Sequence, residues 1–281
     1  MNKILKNLEL PTKNDNTKEK YLNRGRQLYK NSVLYYLEQN NTEEAIEAIE
    51  YLREINSKGC ILKSEKTSSN KLKKIPMEDW EKINKYLENN YGKWHKELQL
   101  WLKSAYLTGL RPIEWQDAKL ITYNNEQALL VKNAKHTNGR AHGEERTIIL
   151  KGLKETEWKI IKQHLHNVYN FKAMDDYEFF YRGCSHTLYR ICRDLWPKRR
   201  KHVTLYSTRH QFSANAKASG MTKPQLAALM GHAVEDTATL HYGRKSAGRE
   251  EIAVEPIEVE VGKIRISDKP DFKDKKEEVK K

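Results

Sequence analysis

No run in this 281-residue chain approaches the roughly 18 uninterrupted apolar residues of a membrane span, so a membrane-spanning helix is not expected. Cysteine is scarce as well: Cys60, Cys184 and Cys192 form an odd set without CxxC spacing. That argues against a disulfide framework and a thiolate zinc site, and each reads most simply as a small buried apolar residue. Apolar residues make up only 38% of the chain, below the usual ~45–50%, so a large solvated or polyanion-facing surface is expected. The opening MNKILKNLEL has no secretory apolar core, because Lys6, Asn7 and Glu9 interrupt it, and a cytoplasmic location follows as the expectation. Internal repeats are absent.

What the chain has in excess is positive charge. Lys and Arg number 52 against 38 Asp and Glu, a net +14 that suits a protein meeting polyanions. The length suggests about two domains. Residues 1–62 read as a small helical domain, with Tyr29, Val33, Tyr36 and Leu37 and then Ala45, Ala48, Ile49 and Leu52 at helical spacing. Residues 63–75 read as a basic linker carrying Lys71, Lys73 and Lys74. A larger domain, 76–248, opens with the acidic helix start MEDWEKI and continues with Leu98, Trp101, Leu102 and Ala105 on one helical stripe, which Gly109 is placed to end. The period then switches: LITYNNEQALLVKNA holds two apolar runs about an Asn-Asn turn and RTIIL supplies a third, so a small antiparallel sheet of three strands is expected. Helical spacing returns from Trp158 to about Tyr242. In the tail, 249–281, Val/Ile alternation near Val254–Ile266 permits a strand, and the final Lys/Glu/Asp run reads as disordered. The fold class is therefore mainly α with a small antiparallel β-sheet.

The densest local signal is YSTRHQFSANAKASGMTKPQLAALMGHAVEDTATLHYGRK. Two helices fit it, one from near Ser207 to Gly220 and one from Thr222, with Pro224 in its first turn, to Gly231. Two short helices about a glycine turn in a basic chain suit a non-catalytic helix-turn-helix transcription regulator. The same residues support an enzyme. Arg209 stands in Tyr-Ser-Thr-Arg-His, His232 in Met-Gly-His, and Tyr242 follows ten residues later in Leu-His-Tyr. This order resembles the C-terminal half of the tyrosine recombinase (phage integrase) family, whose pattern is His-x-x-Arg-His, Leu-Gly-His and a nucleophilic Tyr. Upstream, TGLRPIEW resembles the family's Thr-Gly-Leu-Arg box, with Arg111 as the first catalytic arginine and Glu114 as its structural support. Between the boxes the family carries a lysine on a β-hairpin. By its Lys-x-Thr-x-Gly-Arg character Lys135 takes that role here, with Lys132 as the alternative. Tyr206 occupies the family's first His position, where a neutral phenol can donate to a phosphate but is a poor base. The resemblance spans about Pro76 to Arg244.

It implies a site-specific recombinase or integrase that cleaves and rejoins double-stranded DNA through a 3′-phosphotyrosine, for integration or excision of a mobile element. The domain 76–248 would be catalytic, the N-terminal domain core-binding-like, and four protomers would assemble on two DNA sites, the segment after Tyr242 packing on a neighbour. The chemistry fits the residue types. A phosphodiester transition state spreads negative charge over its non-bridging oxygens, which two guanidiniums, Arg111 and Arg209, can hold. Tyr242, with an ordinary phenol pKa near ~10, needs that cationic pocket to become a nucleophile. The resemblance gives His232 a phosphate contact and makes Lys135 the acid for the leaving 5′ oxygen, while His210 braces the helix. Lys71, Lys73, Lys74, Lys198, Arg199, Arg200 and Lys201 are candidate DNA-backbone contacts. No cofactor is implied and no metal: His136, His142, His202 and His241 have no HExxH-like spacing.

Overall fold

The computed structural model describes residues 12–14, 18–56, 58–60, 72–136, 139–249 and 251–267. Lys71, the Thr-Ser-Ser-Asn centre of the basic linker and the final Lys/Glu/Asp run lie outside the described residues. The chain divides into two compact units, Met1–Ser69 and Asn70–Lys281.

The first unit pairs helices α1 (Lys18–Glu38) and α2 (Thr42–Glu54). Asn40 makes the turn at φ 54°, and the Asn41 side chain caps α2 by accepting from Glu44 N. Tyr21, Tyr29, Ala48 and Ile55 form its small core, with Tyr29 stacked on Tyr51 at 5.9 Å.

The second unit begins with α3 (Met77–Asn89), whose first turn holds Glu78 and Asp79 at the positive end of the dipole. Helix α4 (His95–Thr108) buries Leu98, Trp101, Leu102 and Ala105 on one stripe. Gly109 ends it in the left-handed region at φ 68°, and a Cβ there would lie 2.3 Å from the Phe212 ring, so conformation and space both require glycine. A 3-10 turn, Pro112–Asp117, leads into β1 (Lys119–Tyr123), β2 (Glu126–Lys132) and β3 (Glu145–Ile149). Asn124 and Asn125, at φ 48° and 64°, make the primed turn that matches strand twist. Two long helices follow, α5 (Glu155–Ala173) and α6 (Tyr177–Leu195). Then come α7 (Leu205–Ala218), α8 (Lys223–Leu229) and α9 (Asp236–His241).

The sheet has four antiparallel strands in the order β1-β2-β3-β4, not three, because β4 (Glu255–Pro256) comes from the tail and pairs with β3. The alternating stretch Val254–Ile266 is thus only briefly a strand. Pro256 has no N–H to extend the ladder, and the chain turns into a short helix, α10 (Glu258–Val261). Glu260 accepts from Thr147 N at 2.7 Å, while Ile264 packs on Ala227 and Ala228 of α8 and Arg265 N donates to Ala233 O at 3.0 Å, so this segment lies against the sheet and then against α8 and the loop after it. Helix α7 is a core element: every residue from Ser207 to Ala216 is buried. Among the described residues no helix is long and apolar enough to cross a membrane.

Candidate active site

Three arginines and one glutamate meet where the 3-10 turn, β3, α7 and the loop after α8 converge. Glu114 lies on the 3-10 turn and accepts from its own Arg111 N at 2.8 Å and from the Arg111 side chain. Its other neighbours are Arg146 Nη2 at 2.8 Å and Nη1 at 3.2 Å, and Arg209 Nη1 at 3.6 Å. Burial opposes the Glu114 charge, but Arg146, Arg111 and Arg209 overcome it and hold the carboxyl well below the usual carboxylate range. One carboxylate therefore faces three guanidiniums in a buried pocket, which is left with two uncompensated positive charges. Such an interior is costly unless an anion enters it.

Arg209, fully buried on α7, is fixed by carbonyls at both ends: Nη1 donates to Gly109 O at 2.6 Å and Nη2 to Met230 O. Its Nε lies 3.4 Å from the Tyr242 hydroxyl, and the guanidinium stands 5.3 Å over that ring. Gly109 thus ends α4 and also presents a carbonyl to the site. Arg111 commits Nη1 to Glu114, while its buried Nε has no partner among the described residues.

Tyr242 follows α9 and is half-buried. Its hydroxyl lies 2.8 Å from that of Tyr206, one turn before Arg209 on α7. Burial opposes phenol ionisation, but Arg209 and Arg111, with the Tyr206 hydrogen bond, bring the Tyr242 pKa down to about 7. Burial and the neighbouring Tyr242 instead raise that of Tyr206. Tyr206 is accordingly the donor and Tyr242 the acceptor as the pair titrates. His232 closes the pocket with its ring 5.2 Å from that of Tyr242. Burial and the surrounding arginines hold it well below the ordinary histidine pKa, so it is a neutral imidazole. Its Nε2 lies 3.4 Å from Arg209 Nη2, and a guanidinium only donates, so Nε2 accepts and the proton sits on Nδ1. His210 packs its ring against both tyrosines, at 5.5 Å and 5.0 Å.

Arg111, Glu114, Tyr206, Arg209, His210, His232 and Tyr242 are therefore brought together. Lys135 is exposed in the turn after β2; its neighbour Ala134 approaches Glu114 Oε1 through its N–H at 3.5 Å, so the base of this loop abuts the pocket. The far side of the loop is tied beside His232, where Ala233 N donates to Arg140 O at 3.1 Å. Lys132 is occupied at the surface by Glu144, at 3.6 Å. Lys73, Lys74, Lys198, Arg200 and Lys201 are exposed. Arg199 is instead paired through both nitrogens with the buried Asp79 and stacked on Trp196 at 4.4 Å.

The sequence reading missed Arg146 and Asn133. Arg146 donates from Nε to Leu229 O at 2.8 Å and from Nη1 to the Asn133 side chain, joining the Glu114 turn, the hairpin and the loop bearing His232. The period of a strand could have found it: Arg146 shares a sheet face with Ile148, which is buried. Among the described residues no three His, Cys, Asp or Glu side chains cluster as a metal site would require.

No family model matches the chain, and no curated protein matches it in sequence. Among solved structures, the chain is similar to the XerH site-specific recombinase bound to palindromic difH substrate in a post-cleavage complex, with a TM-score of 0.40 and 16% identity over 76% of this chain and 67% of that one. A pre-cleavage complex of XerH with difH gives 0.39 and 15% over 71% and 61%.

Proposed function

We propose that this protein is a site-specific DNA recombinase or integrase that cleaves and rejoins strands through a 3′-phosphotyrosine on Tyr242, serving integration or excision of a mobile element. The observation that carries the reading is a tyrosine hydroxyl held by Tyr206 and Arg209 inside a buried pocket that, while the phenol is neutral, has two uncompensated positive charges. A phosphodiester supplies the missing anion. Arg111, through an Nε that has no partner among the described residues, and Arg209, through the Nε aimed at Tyr242, meet the non-bridging oxygens as charge builds on them. The Tyr242 phenol gives up its proton to solvent, the phenolate oxygen attacks phosphorus, the bond to the 5′ oxygen breaks, and Lys135 on its loop gives that oxygen a proton. Attack by a 5′ hydroxyl on the phosphotyrosine reverses the step, so the bond energy stays in the protein–DNA linkage and no cofactor is consumed. Exposed Lys73, Lys74, Lys198, Arg200 and Lys201 contact the DNA backbone, and four protomers assemble on two duplexes. The helix-turn-helix alternative is less well supported, because α7 is buried along most of its length and α8 buries Leu226–Leu229.

The test is a pool of nicked suicide duplexes with a randomised centre, from which protein–DNA adducts that survive denaturation are recovered and sequenced. Adducts with the phosphate on Tyr242 by mass spectrometry are expected; no adduct beyond that given by Tyr242→Phe refutes the reading. The leaving-group assignment has its own check. Lys135→Ala is expected to cleave an ordinary phosphodiester very slowly yet to recover on a 5′-bridging phosphorothiolate, whose thiolate leaves without a proton. Lys132→Ala should cleave both substrates like wild type. Sulfur rescue of Lys132→Ala alone would move the acid to Lys132.

A further inference from the structure

We infer that Lys217 is the positioning residue for the nucleophile, an inference that rests on the reading of Tyr242 as the attacking group. Lys217 lies near the end of α7, two turns beyond Arg209 and outside the pocket. Its ammonium donates to Ala238 O at 2.8 Å and to Gly243 O at 2.7 Å. These carbonyls bracket Tyr242: Ala238 O also accepts from Tyr242 N at 3.2 Å, and Gly243 is the next residue. The segment after the tyrosine also lies flush on α7, because a Cβ on Gly243 would stand 2.3 Å from His210 O and one on Gly248 2.3 Å from Ala214 O. A single helix therefore carries the guanidinium aimed at the nucleophile (Arg209), the hydroxyl that polarises it (Tyr206) and the peg that fixes its backbone (Lys217).

The segment carrying Tyr242 needs such a peg. Helix α9 has only six residues, too few to hold a side chain in place by its own hydrogen bonds. Leu240 and His241, just before the tyrosine, are exposed. Lys217 supplies the missing constraint from the outer side of the segment. Burial lowers its pKa to about 8, and the neutral amine still has two N–H bonds for the two carbonyls, so the peg holds on either side of that pH.

The experiment uses the full chain and two nucleophiles. In single-turnover cleavage at saturating DNA, Lys217→Met is expected to slow adduct formation by on the order of 100-fold while DNA affinity is unchanged, the loss that a misplacement of about 1 Å produces. Lys217→Arg, which keeps paired N–H donors, should recover part of that rate. The second arm works in a Tyr242→Phe background with hydrogen peroxide: the hydroperoxide anion attacks phosphorus and the 5′ oxygen leaves with a proton from Lys135. This nucleophile needs no peg, so adding Lys217→Met should not change the peroxide rate. Equal losses with tyrosine and peroxide would mean that Lys217 supports the whole pocket, and wild-type cleavage by Lys217→Met would also overturn the inference. If the wild-type chain forms no adduct with any duplex, the reading of Tyr242 fails first and the inference falls with it.

Discussion

Replacing Tyr242 by Phe is expected to abolish covalent adduct formation while DNA affinity and folding persist. Only the hydroxyl is lost, together with its 2.8 Å contact to Tyr206 and its 3.4 Å contact to Arg209 Nε, each hydrogen bond worth on the order of 1 kcal/mol to stability. The same hydroxyl governs the pH profile. Because Arg209, Arg111 and Tyr206 outweigh burial and bring the Tyr242 pKa down to about 7, the phenolate fraction grows as pH rises through 7 and saturates above it. Cleavage at sub-saturating DNA, which reads the groups of the free protein, should therefore climb with pH and level off above about 8, a unit past that midpoint. Tyr206→Phe removes a bond that favours the phenolate and should move the midpoint upward. Adduct formation by Tyr242→Phe, or phosphate recovered on Tyr206 or Tyr189, would end the assignment.

Arg209→Ala should lower the cleavage rate by roughly 100- to 1000-fold, the equivalent of about 3–4 kcal/mol for one preorganised charge contact. It also orphans Gly109 O and Met230 O and leaves Glu114 with one guanidinium fewer, so the urea midpoint should fall as well. Arg209→Lys separates the two effects. A lysine keeps the charge, which limits the loss of stability, but it cannot span two carbonyls and the tyrosine at once, so cleavage should remain far below wild type. Arg111→Ala should approach the same catalytic loss with less structural damage, because it removes the side-chain bond to Glu114 but keeps the Arg111 N–H bond that closes the turn. Near-normal cleavage by Arg209→Ala in a chain shown to be folded would rule out the paired-arginine mechanism.

Much of this arrangement is legible residue by residue. The stop at Gly109, the Asn124–Asn125 turn and the apolar stripe of α4 follow from local rules, because each depends on neighbours within a few positions. The Thr-Gly-Leu-Arg and Ser-Thr-Arg-His boxes announce residues that meet in space because each box also ends or starts an element. Less legible were contacts made across long stretches of chain. Arg146 reaches Leu229, and Lys217 reaches carbonyls more than twenty positions away, through hydrogen bonds that leave no periodic trace. The strand from the tail was legible only as a permitted stretch, Val254–Ile266, because a two-residue strand ending in proline carries too little pattern to fix its bounds.

That strand also sets the order in which the molecule can be finished. Glu255 and Pro256 lie beyond Tyr242 in sequence, yet they pair with Ile148 and Ile149, residues that leave the ribosome about a hundred positions earlier. Every proposed catalytic side chain is therefore synthesised before the sheet beside it can close, and closure is a late, long-range event of the kind that slows folding. Until it happens the outer edge of β3 bears unpaired N–H and C=O groups. A nascent chain that has already gained its nucleophile thus still lacks the last strand of its sheet.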